Sequence, residues 1–149
     1  MSTLNAGEQF KYNVYDVVKR RGPVVPAQIS KEVGRDTFFV GAILSDLSRE
    51  KKVFFSAAKI GGSSVYYVPG QEPHLDILFT YLPMKEKEAF TLLKKYQLVR
   101  DTELEPSIRV ALRNLKDFAV PLNVRTGENQ ELFWKYGFRR RSGCLDVAF

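Results

Sequence analysis

Arg109, Arg113 and Lys116 recur at spacings of four and three, so a helix through them would carry three cations on one face. Guanidinium forks match phosphate oxygens and the edge of guanine, which makes this stripe a candidate contact to nucleic acid. Ser107 and Asn114 add neutral hydrogen-bonding groups beside it, and Arg125 falls where a later hairpin is expected. In the first half of the chain Lys31, Arg35, Thr37, Ser45, Arg49 and Lys59 are the residues suited to phosphates or bases. A basic helical stripe is also what an ordinary solvated face looks like, and that alternative stands beside the first. Arg139-Arg140-Arg141 forms a compact positive cluster, read as a basic C-terminal tail.

Other chemistries lack their residues. The chain has a single histidine, His74, and a single cysteine, Cys144. A structural zinc site needs about four Cys or His ligands, so the ligand count excludes one, and no internal disulfide can form. Triads built on a histidine base would all have to use His74, which sits beside Pro73 in an expected linker. Gly61-Gly62 is not followed by the Lys-Ser/Thr helix of a phosphate-binding loop. Glu86, Glu88, Asp101, Glu103 and Glu105 are interspersed with cations and read as a solvated surface. No catalytic residue, metal site or cofactor is expected, and an enzyme is the least favoured class.

The 149 residues suffice for one ordinary domain or two very small ones. A hydrophobic fraction of 44% and a charged fraction of 27% describe a chain that can bury a core. Net charge is +6, which favours an acidic partner. No apolar run approaches the ~18 residues that span a bilayer. Residues Met1–Gly7 lack the basic start and apolar stretch of a signal peptide, so a cytoplasmic location is expected.

Several elements must position the candidate residues. Phe10, Val14, Val17 and Val18 repeat at helical spacing up to a stop at Arg21-Gly22-Pro23. Pro26 opens a short second helix through Ile29 and Val33, and Gly34 turns the chain. Asp36 or Thr37 can cap a third helix, Thr37 to Glu50, whose Val40, Ile43, Leu44 and Leu47 make one buried stripe. Val53–Ala57 and Val65–Val68 are strand-forming runs around the tip Lys59–Ser64. Phe54 or Phe55, with Tyr66 or Tyr67, should cover the core.

This order resembles the winged helix-turn-helix superfamily over roughly residues 10–70, carried by Ile29–Gly34, the helix with Leu44 and Leu47, and the Gly-Gly hairpin. The wing from Lys59 to Glu72 is also similar to that of archaeal winged-helix proteins with no assigned function. The resemblance implies an α+β fold, a three-helix bundle plus a β-hairpin wing. It further implies that the third helix is the element that enters a major groove. Its outward residues would be Phe38, Gly41, Ala42, Ser45, Asp46 and Arg49, which offer few long donors and suit a protein partner as readily.

Pro69–Pro73 marks an internal boundary, giving a winged-helix domain over 1–70 and a second, degenerate one over 71–149. Leu75, Leu78, Phe79 and Leu82 suggest a connecting helix. Pro83 suits the first turn of the next, with Ala89, Phe90, Leu93 and Tyr96 facing inward. Pro106 opens a further helix with Ile108, Ala111, Leu112 and Leu115 buried, and Val120–Val124 and Glu131–Tyr136 read as a hairpin. Ala42–Leu47 and Ala111–Leu115 match in pattern, which supports a tandem repeat. The alternative is one domain with an unrelated helix-plus-hairpin extension.

Two functions follow from different classes. One is a transcriptional regulator that contacts duplex DNA through basic helices and wings. The other is a non-enzymatic interaction module inside a transcription, chromosome or ribonucleoprotein assembly. The oligomeric state is open.

Overall fold

The computed structural model describes residues 5–142 and 146–148, so Met1–Leu4 and Cys144 lie outside the described residues. The chain divides into two compact units. One runs to Asp76 and takes in Arg141 and Ser142; the other contains Ile77–Arg140.

The first unit begins with α1 (Ala6–Arg21), where the Asn5 side chain accepts a hydrogen bond from the Glu8 N–H at 2.7 Å. The sequence places the start of this helix at Phe10; the Asn5 cap begins it a turn earlier. Pro26 stands at the first turn of α2 (Pro26–Val33), and Gly34 closes it in the left-handed region at φ 73°. α3 (Thr37–Arg49) starts at Asp36, whose carboxylate accepts from the Phe39 N–H at 2.8 Å. Val40, Leu44 and Leu47 are buried and Ile43 half-buried, packed with Val14, Val18, Ile29 and Val53 in one cluster. The expected stripe is thus the core-facing one.

The wing is β1 (Phe54–Ile60) and β2 (Ser63–Tyr67), antiparallel, with Phe54 opposite Tyr67 and Ile60 opposite Ser63. Gly61 and Gly62 both have positive φ, as a two-residue hairpin turn of the type I′ class demands. Phe54 and Tyr67 are buried, and Phe55 and Tyr66 are half-buried on the other face. Val24 bridges to Tyr66 through two backbone hydrogen bonds of 2.7 and 3.0 Å, so β2 also pairs with the segment between α1 and α2. Arg141 pairs with Phe55 on the other side of β1. Gln71 ties the end of α1: its amide donates to the Val18 and Lys19 carbonyls at 3.0 and 2.9 Å. A Cβ at Gly22 would collide with Gln71 and the Val18 carbonyl oxygen, so only glycine fits that crossing.

In the second unit α4 (Met84–Tyr96) follows Pro83 and buries Ala89, Phe90 and Leu93. It leads through Gln97 to β3 (Leu98–Arg100), a 3-10 turn at Asp101–Glu103, and α5 (Pro106–Asn114). α5 buries Ile108, Ala111 and Leu112, with Leu115 just beyond it. β4 (Ala119–Thr126) and β5 (Asn129–Tyr136) form the second hairpin, and the sheet order is β3-β5-β4. Pro121 therefore lies on an edge strand, as its missing N–H requires. The Phe90 ring is central to this core, 4.8 Å from Phe118 and 5.2 Å from Phe79 between centroids.

Each unit is α+β, and the helix-helix-helix-hairpin order of the first is compatible with a winged helix. Three expectations change. The segment Glu72–Tyr81 winds as a 3-10 helix, with Pro73 near its start. Tyr96 is 58% exposed, because α4 ends there and Gln97 turns left-handed at φ 65°. Arg139–Arg141 is a short strand, β6, instead of a tail: the Arg139 N–H donates to the Asp117 backbone carbonyl and Arg141 pairs with Phe55.

Truncating Leu44 to Ala should cost about 2–5 kcal/mol, since the site is fully enclosed. Gly41→Ala should have the opposite sign, stabilising by roughly 0.5–1 kcal/mol, because a helix interior favours Ala and nothing lies within 4 Å of the added Cβ. Urea unfolding of the two variants checks both.

Candidate nucleic-acid and protein interface

The chemistry of the second unit converges on a carboxylate that the spacing of charges leads one to expect in solvent. Asp101 opens the turn after β3, and its side chain is 3% exposed. One oxygen, Oδ2, accepts from Arg109 Nε at 2.9 Å and Nη2 at 2.8 Å, and from Arg113 Nη2 at 3.2 Å. The other, Oδ1, accepts from Arg113 Nη1 at 3.0 Å and from the Trp134 indole N–H at 2.9 Å. Arg113 Nη1 also donates to the Arg109 carbonyl at 2.9 Å, and its guanidinium lies 5.6 Å from the Trp134 ring centroid. Burial alone would raise the Asp101 pKa; hydrogen bonds from Arg113, Trp134 and Arg109 outweigh it and hold the carboxyl at about 2.

Arg109 and Arg113 do share one helical face, as their spacing dictates. That face leans on Asp101, so the forks that would meet phosphate are already occupied. The two side chains as a whole remain 39% and 46% exposed. Lys116 and Arg125 are exposed, with no ion pair among the described residues. Arg100, which spacing did not single out, pairs with Glu103 at 3.1 Å and Glu131 at 3.5 Å over the Phe133 ring.

In the first unit the outer face of α3 carries Phe38, Ala42 and Ser45 in solvent, with Gly41 half-covered. Phe38 is 87% exposed, the most of any large apolar side chain described. Arg49 is paired with Asp46 one turn earlier, so α3 offers no uncompensated cation. Ser45 and Arg49 line a small cleft of about 270 Å³ with Ser48, Phe55 and Tyr66, between α3 and the hairpin. Arg35 lies over two rings, 4.4 Å from the Phe39 centroid and 5.0 Å from that of Phe10. Thr37, Lys31 and Lys59 are exposed, without ion pairs among the described residues.

Four further cations of this unit are engaged in ion pairs. Arg20 and Arg21 both reach Glu32 at 2.7 Å, and their hydrogen bonds keep that carboxyl below its ordinary range. Lys11 and Lys52 share Glu50. Of the predicted phosphate ligands, Arg109 and Arg113 share the Asp101 carboxylate, while Lys31, Lys59, Lys116 and Arg125 have no ion pair among the described residues.

No protein-family model matches the chain, and no curated protein does. It is similar to the crystal structure of ScpB from Mycobacterium tuberculosis at 13% identity and a TM-score of 0.34. The match covers 90% of this chain and 93% of that one. A likeness that slight carries nothing over to this chain.

Among the described residues no group of His, Cys, Asp and Glu could hold a metal ion. No helix of the described residues is long and apolar enough to cross a membrane. Asp101 and Trp134 are the residues that reasoning from spacing missed. A hint lay in the lone Trp and in an acid that directly follows the β-forming Leu98-Val99-Arg100, but alternation of charges pointed to solvent.

The folded Asp101 pKa lies below its ordinary 3.8, so its stabilising contribution is present above that value and fades as pH falls towards about 2. The shift corresponds to roughly 2 kcal/mol. Asp101→Asn should lose about that much at neutral pH and flatten the acid limb of the stability curve between pH 4 and 2. Trp134, the single tryptophan, reports both by fluorescence. Parallel pH profiles for the two proteins would refute this account.

Proposed function

We propose that this chain is a non-enzymatic winged-helix module that docks another protein through the outer face of α3. The observation that carries this reading is the composition of that face. A helix that reads base edges needs long donors, whereas this one presents an exposed Phe38 above Gly41, Ala42 and Ser45, and its Arg49 is neutralised by Asp46. Small residues let a partner's backbone approach closely, and an aromatic anchor supplies most of the apolar area.

We read the second unit as a degenerate copy of the first. In one, β2 pairs back to Val24 between the first two helices; in the other, β5 pairs back to β3 between α4 and the 3-10 turn. The short turn Asp101–Glu103 would stand where α2 stands, and α5 where α3 stands. This correspondence supports a tandem arrangement over an unrelated extension.

A second reading, duplex DNA, is favoured by Lys31, Lys59, Lys116 and Arg125, exposed cations without acidic partners among the described residues.

One comparison separates the readings. Phe38→Asp should abolish retention of a specific protein in affinity capture, with circular dichroism unchanged because the side chain is solvent-exposed. Binding to mixed duplex DNA should be weak, and removing one phosphate-binding cation should lower its salt slope by about one unit. Tight, steeply salt-dependent DNA binding that Lys59→Ala and Arg125→Ala reduce would replace the first reading with the second.

A further inference from the structure

Residues 121–126 are exposed throughout, although they lie in the longest strand pairing of the second unit. β4 is an edge, with β5 on one side and, among the described residues, no strand on the other. The direction of its backbone groups follows from the ladder. The Tyr136 N–H donates to the Gln97 carbonyl at 2.9 Å, so at Tyr136 the backbone of β5 points towards β3. Alternation then turns Lys135, Phe133, Glu131 and Asn129 towards β4, where they meet Val120, Leu122, Val124 and Thr126. The two-residue turn Gly127–Glu128 closed by Thr126 and Asn129 requires the same phase. The N–H and C=O groups of Asn123 and Arg125 therefore point outward from the sheet edge, as does the carbonyl of Pro121.

We propose that this edge pairs antiparallel with the same edge of a second copy of the chain, about a two-fold axis through Val124. In that register Asn123 and Arg125 of one copy form hydrogen-bonded pairs with Arg125 and Asn123 of the other, giving about four backbone hydrogen bonds. Val124 meets its own equivalent and Leu122 faces Thr126. These apolar side chains share one face with Phe133, and at 38% and 37% exposure Val124 and Leu122 leave area to bury. On the opposite face the Asn123 amide oxygen can accept from Arg125, and no two like charges stand directly opposed.

Pro121 decides the register. It has no N–H, and a shift of the axis to Asn123 would set it against Arg125 and strand that residue's carbonyl. With the axis at Val124, Pro121 falls beyond the ladder, opposite Gly127 of the other copy. An axis at Arg125 would set that cation directly against its own equivalent, so the axis at Val124 is the two-fold register that keeps the hydrogen bonds and opposes no like charges. This is what favours a second copy over an unrelated extended segment.

Sedimentation and light scattering on the full chain test the proposal. Wild type should move with concentration from 17.1 kDa towards about twice that mass. Asn123→Pro removes an N–H that the internal ladder does not use, so the folded chain should stay monomeric at the same concentrations. Val124→Lys should do so as well, and keeps the test sound if the proline disturbs folding. Phe38→Asp should dimerise like wild type, which separates this edge from the α3 face. A wild type that stays at the monomer mass up to its solubility limit would overturn the pairing. So would a dimer that survives both β4 variants, or one that only Phe38→Asp dissolves.

Discussion

A single buried carboxylate organises the second unit. Removing Asp101 from water is costly, and the fold offsets that cost only by bringing donors from two other elements, α5 and β5, to its two oxygens. Arg109 and Arg113 must then lie on the side of α5 that faces the turn, which sets the rotation of that helix. Trp134 must point inward from β5, which sets which face of the sheet is buried. The 3-10 turn at Asp101–Glu103, short and without a stripe of its own, is held in place by the same interactions. Helix rotation, sheet facing and turn position thus share one electrostatic cause.

That arrangement has a consequence for partners. Net charge of +6 suggests a surface that seeks anions, but many of the arginines are spent inside the molecule's own ion pairs. Arg20 and Arg21 hold Glu32, Arg49 holds Asp46, Arg100 holds Glu103 and Glu131, and Arg109 and Arg113 hold Asp101. The surface pairs contribute little to stability, yet each places an acid beside a cation and blunts the local potential. What α3 presents instead is an unusual surface for a reading helix: a nearly bare phenylalanine, a glycine with open space around it, and small side chains. A mid-helix glycine with no packing reason lowers stability, so its presence points to the surface and not to the core.

The two hairpins differ in how they use their edges. In the first unit β1 pairs with β2 on one side and with Arg141 at Phe55 on the other, and β2 pairs with Val24 at Tyr66. In the second, β4 extends six exposed residues with no described strand beyond it. Exposed strand edges invite pairing, and Pro121 limits that pairing to part of the strand. A proline at a position whose N–H would point outward leaves the internal ladder intact.

Sequence periodicity determined much of this protein because burial of apolar stripes is a local rule. Val40, Leu44 and Leu47 had to face a core, Pro26 and Pro106 had to sit in first turns, Gly34 had to end α2, and Gly61-Gly62 had to turn a hairpin. Those elements follow from helical and strand repeats with their caps, and the helix-helix-helix-hairpin order follows from them. Spacing also placed Arg109 and Arg113 on one face of a helix. Which way that face points was decided by tertiary structure, since the partner Asp101 is eight and twelve residues away and Trp134 comes from another strand. The same holds for β3 and the strand at Arg139–Arg141, three-residue segments with too little pattern to be seen until a neighbouring strand completes them. Phe38 is the converse case. Its exposure was legible from the helical wheel, because the stripe formed by Val40, Leu44 and Leu47 leaves it no core to enter.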